Sequence, residues 1–183
     1  MRLRPRATLL PDLLAVALFF AAIVGGSRWL GDTSGWPSAP SARALGLAML
    51  LDTGPLGEEL GWRGVALPTL LRRHTPLVSG LLVGFAWTLW HLPTFFLAAL
   101  PQHAISLPIF TANTVALSLL ITWLSCRSRG KLLPAIWVHL LANLAVGAFG
   151  APLAVSAAVL VGLAVVLAAT GRLGPHSNTV GGA

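Results

Sequence analysis

The sequence has no Tyr, a single Cys and few charges: Asp, Glu, Lys and Arg make up 9% of its 183 residues. Soluble domains carry about 25%, so an ordinary water-soluble enzyme and a chain disordered throughout are both excluded. The lone Cys126 excludes a disulfide framework and any multi-Cys metal cluster. Acids are scarcer than bases, five against twelve, and Lys131 is the one lysine. In a soluble chain the net charge of +7 would suggest nucleic-acid binding. In a chain that is 56% hydrophobic it reads as topology, because basic residues stay on the cytoplasmic side of membrane proteins. The expected partner is therefore the lipid bilayer and not a nucleic acid. The bias towards Ala, Leu, Arg and Gly is what a GC-rich genome produces and points to a bacterial plasma membrane.

What is abundant is apolar sequence in long runs. Six segments stand out, at about residues 9–30, 43–61, 76–100, 108–126, 132–149 and 153–170. Most are near the roughly 20 residues that a helix needs to cross the hydrocarbon core. Only helices satisfy the backbone of such runs in lipid, so the predicted fold is all-α, a polytopic membrane bundle of about six helices. The first run is too long for a signal peptide. With the N-terminus inside, ten basic residues fall on the inner side: Arg2, Arg4, Arg6, Arg63, Arg72, Arg73, Arg127, Arg129, Lys131 and Arg172. Arg28 and Arg43 fall outside, which predicts both termini in the cytoplasm. Residues 1–173 read as one transmembrane domain, and the polar, Gly-rich residues 174–183 as a disordered tail.

The second segment carries Asp52, Glu58 and Glu59, which are costly in a membrane unless they face a protein interior or a watery cavity. Asp52-Thr53-Gly54-Pro55 reads as a helix restart, followed by a helix over residues 56–67 that stops at Pro68. Glu59 and Arg63 are four apart and can pair. Glu58 points about 100° away around the helix. Two further spans hold histidines, His91 four residues after Trp87 and His139 four residues before Asn143. At ~1.5 Å per residue, His91 and His139 reach the same depth only if the third span starts nearer Gly80 or tilts, with Pro93 as a kink site. Lone intramembrane histidines often serve as interhelical hydrogen bonds. Two of them, with Asn143 and a carboxylate pair on three spans, point instead to a site.

Glu58-Glu59-Leu60-Gly61-Trp62-Arg63, Trp87-x-x-x-His91 and His139-x-x-x-Asn143 resemble, in order, the three motifs of the CAAX protease and bacteriocin-processing family of intramembrane proteases. The resemblance covers roughly residues 51–149, and Trp87 stands where that family commonly has Phe. It implies an endopeptidase acting on a peptide or protein substrate. Eukaryotic relatives remove the C-terminal tripeptide of prenylated proteins; peptide maturation and self-immunity are the roles suggested for bacterial ones.

The resemblance implies that Glu58 is the base, that His91 holds and polarises the same water, and that His139 and Asn143 stabilise the oxyanion. Glu59 and Arg63 then support the site structurally, with Trp87 beside them. A metal version is open as well: Glu58, His91 and His139 supply O/N/N ligands to zinc with a fourth position for water, and Glu59 serves as base. The sequence contains neither His-Glu-x-x-His nor Gly-x-Ser-x-Gly. Two other functions fit the same composition. One is a non-catalytic bacteriocin-immunity or scaffold protein; the other is a proton-coupled transporter, since Glu and His also form proton relays.

Overall fold

A computed structural model describes residues 10–30 and 53–174. Helix α1 is Leu10–Leu30. Helix α2, Thr53–Gly61, runs through a π-helical stretch, Trp62–Ala66, into α3, Leu67–Leu71. Then follow α4 (Pro76–His91), α5 (Leu107–Arg127), α6 (Leu132–Asn143) and α7 (Leu153–Ala169). No strand occurs among the described residues. The start of the expected second span, with Arg43 and Asp52, lies outside the described residues. So do Arg2, Arg4, Arg6 and the tail beyond Gly174.

The chain is an all-α membrane helix bundle. Three helices, Leu10–Arg28, Pro76–Phe96 and Leu107–Arg127, are long and apolar enough to cross a membrane. Two more, Leu132–Ala148 and Leu153–Ala169, are apolar but shorter. Outward faces are apolar too: Leu18, Leu89, Leu133 and Val165 are exposed. Helices hydrophobic all round suit lipid, not water.

Helix α5 is the centre, packed against α4, α7 and α6. Its buried side chains alternate bulk with small polar groups: Leu120, Ile121 and Leu124 beside Ser118, Thr122 and Ser125. Helix α4 meets it through Gly80 and Gly84, four residues apart. A Cβ on Gly84 would lie 2.8 Å from the Cα of Val115, so the backbones approach as closely as small residues allow. The Ser118 hydroxyl adds a hydrogen bond to the Gly80 carbonyl, 2.9 Å. The buried stripe of α4 steps from Ser79 and Gly80 through Val83 and Gly84 to Trp87 and Thr88. The start of α1 is tied to the end of α5, where Arg127 binds Asp12 at 2.8 and 2.9 Å. Beyond α7, Gly171 takes a left-handed φ of 69°, and the chain returns so that the Leu173 carbonyl accepts from Leu77 N–H at 3.0 Å.

One local expectation is corrected. The helix does not stop at Pro68 but continues to Leu71. Proline removes an i−4 hydrogen bond and crowds that carbonyl; the preceding π turn, in which Leu67 N–H reaches Trp62 O, opens the backbone there. The buried stripe Pro55, Glu59, Arg63, Leu67 advances four residues at a time. An α-helix turns once in 3.6 residues, so such a stripe would drift around the rod; the wider π turn offsets the drift. Helix α4 starts at Pro76, where its apolar run begins, and the Thr75 hydroxyl accepts from Val78 N–H at 3.3 Å. At Pro93 the rod tightens to a 3-10 stretch, Leu92–Phe96. A second π stretch, Leu144–Ala148, follows α6 directly.

Candidate active site

Glu58 and Glu59 sit side by side on α2 and face different surroundings, as a rotation of about 100° between neighbours requires. Glu59 is 0% exposed. Its Oε1 accepts from Arg63 Nη1 at 2.9 Å and from His139 Nδ1 at 2.9 Å. The sequence suggests the first bond through its spacing of four; the second crosses from α2 to α6. Glu58 is half-buried, and its Oε2 accepts from the indole Nε1 of Trp87 at 2.6 Å.

Trp87 is the common neighbour of the group. It is 3% exposed. Arg63 lies over its ring with Cζ 4.9 Å from the centroid, a cation–π contact. The His139 ring meets it edge-on at 4.8 Å between centroids. Its carbonyl accepts from His91 Nδ1 at 3.0 Å. A carbonyl can only accept, so the proton of neutral His91 is on Nδ1 and the lone pair is on Nε2. The same reasoning at His139, where the partner is a carboxylate, puts a proton on Nδ1 there too.

Glu58, Trp87, His91, His139 and Asn143 all line one cavity of about 450 Å³. Gly54 and the Pro101–Ala104 turn border it, and α5 supplies the opposite wall with Phe110, Asn113 and Thr114. Asn113 is a polar contributor that the motif reading does not reach. It is buried, and its Oδ1 accepts from the Ser156 hydroxyl of α7 at 2.9 Å. Its signal in the sequence is an amide inside an apolar run, which matters once the helix's orientation is known.

Residues 40–145 match the Rce1-like family of type II CAAX prenyl endopeptidases. The chain belongs to this family. It is also 30% identical over 142 residues to CAAX prenyl protease 2 of Methanococcus maripaludis, covering 74% of this chain and 52% of that protein. It therefore spans about half the length of the curated relative it matches. The matched region holds all seven motif residues, from Glu58 to Asn143, while the cavity wall extends past it at Val146, Gly147 and Leu153.

The zinc alternative draws on Glu58, His91 and His139, all of which line this cavity. Among the described residues no three His, Cys, Asp or Glu side chains are grouped to hold a metal ion. Glu58 Oε2 is held by the indole of Trp87 and His139 Nδ1 by Glu59, so any ligand in the cavity would meet Glu58 Oε1 and His139 Nε2. Glu59 is buried between Arg63 and His139.

Proposed function

We propose that this chain is an intramembrane endopeptidase of the glutamate type. The observation that carries the reading is the shared cavity: a carboxylate, two imidazoles and a carboxamide from three helices line one space. In this scheme Glu58 takes a proton from water as the water oxygen attacks the scissile carbonyl carbon. His91 receives the water's other hydrogen at its Nε2 lone pair and so orients it. The carbonyl oxygen becomes an oxyanion, and Asn143 donates to it from the amide. His139 has only Nε2 left for the cavity, and in this scheme it donates from there as an imidazolium whose Nδ1–H is held by Glu59. Collapse of the intermediate breaks the C–N bond, and Glu58 returns its proton to the leaving amine.

The substrate in this reading is a peptide or protein segment that reaches the cavity from the bilayer or its surface. The setting is a bacterial plasma membrane with both ends of the chain inside. The distribution of basic residues supports that orientation, and the Asp12–Arg127 bridge is consistent with it, joining the start of α1 to the end of α5. The bond between Leu77 and Leu173 supports treating residues 1–173 as one unit. The test is cleavage of a labelled peptide library by the full chain in proteoliposomes, beside Glu58→Gln. Cleavage by wild type and none by folded Glu58→Gln is expected; equal rates would refute the proposal.

A further inference from the structure

We propose that Trp87 is a positioning residue for Glu58, acting through its indole N–H; this rests on the reading of Glu58 as the base. A carboxylate at the edge of a cavity has two equivalent oxygens and a side chain free to rotate. Here the symmetry is broken. Oε2 is held by Trp87 Nε1 at 2.6 Å, a short distance for a charge-assisted bond. Oε1 is then the oxygen left for the water, and it is the atom that takes the proton.

The donor itself is fixed on every side. Trp87 belongs to the buried stripe by which α4 packs on α5, three residues after the close contact at Gly84. Arg63 covers one part of its ring, and His139 abuts it edge-on. Its backbone carbonyl sets His91, the second ligand of the proposed water. One residue thus orients Glu58 through its side chain and His91 through its main chain. Phenylalanine at this position would fill most of the space and supply the same carbonyl, but it has no N–H. Loss of that donor frees Glu58 to rotate away from the attack geometry, where small misplacements are costly in rate.

The experiment compares wild type, Glu58→Gln, Trp87→Phe and a chain with benzothienylalanine at position 87, which keeps the two-ring shape and replaces N–H by sulfur. Each is assayed as the full chain in proteoliposomes on a fluorogenic peptide selected from the library, and its Tm is measured in detergent. The sulfur analogue and Trp87→Phe should lose about tenfold in kcat, in line with a hydrogen bond to a charged group. KM and the Tm of the analogue should stay at wild-type values. If Glu58→Gln is inactive while the analogue turns over at the wild-type rate, the positioning role is wrong and the endopeptidase reading stands. If the analogue loses kcat and thermal stability together, Trp87 is a packing residue and the inference fails. Wild type that cleaves nothing, or an active Glu58→Gln, overturns the endopeptidase reading and this inference with it.

Discussion

Replacing Glu59 by Gln tests the electrostatics behind the cavity. Glu59 is 0% exposed and is the carboxylate that faces both Arg63 and His139. Arg63 is itself 2% exposed, and its Nε and Nη2 find no partner among the described residues. Glu59→Gln keeps the shape and one acceptor but leaves the buried guanidinium without its paired carboxylate. Breaking a buried pair from one side costs about 3–5 kcal/mol. For a chain of this size each kcal/mol is about 2–4 °C in Tm, so a fall of about 6–20 °C is expected in detergent. The face of Trp87 under Arg63 offsets part of the charge and favours the lower half of that range. Seven Trp residues make intrinsic fluorescence a suitable readout of the melt. A second variant, Glu59→Leu with Arg63→Met, removes both charges and should regain part of the loss, since apolar replacement of a buried pair is often close to neutral. A Tm for Glu59→Gln within about 2 °C of wild type would refute the argument, as would a double variant less stable than the single one.

Gly84→Ala should destabilise the bundle by about 1–3 kcal/mol, because its Cβ would meet the Val115 backbone at 2.8 Å; the melt checks this, and an unchanged Tm would contradict the close α4–α5 contact. Asn113→Leu should lower Tm by only about 1–2 °C, as one interhelical hydrogen bond in a membrane bundle is worth about 0.6 kcal/mol. It should also raise KM by making one cavity wall apolar, as peptide titration would reveal. Reporter fusions at Gln102 and Ser128 should fall on opposite sides of the membrane; both on one side would overturn the six-span topology.

How far the sequence carries depends on whether a feature is local. Helices α1, α5, α6 and α7 lie within a few residues of their apolar runs, because hydropathy alone selects them in lipid. The separation of Glu58 from Glu59 is legible too, since helix rotation decides it. Two bonds are not legible. Trp87 reaches Glu58 across 29 positions, and His139 reaches Glu59 across 80. Both depend on how far α4 and α6 are turned and slid against α2, which side-chain packing sets. The same limit explains Pro68, where reading the residue alone ends the helix. The structure prolongs it through a π turn whose wider winding is visible only in the hydrogen bonds. Asn113 is in the cavity wall because α5 presents that face to the site, and its type alone carries no such address.

The two π stretches bear on how this chain should be aligned with others. Each follows a helix that carries part of the cavity: Trp62–Ala66 after Glu58 and Glu59, Leu144–Ala148 after His139 and Asn143. A π turn, with its i→i+5 hydrogen bond, holds about one residue more than the α turn it replaces. Relatives whose helices are regular there should align with a one-residue gap in each stretch and none between the paired site residues. Such a gap lets the outer half of a helix change its facing while Glu58, Glu59, His139 and Asn143 keep theirs. The wall residues Val146 and Gly147 lie in the second stretch, so a shift there would reshape the cavity while leaving its ionisable groups in place.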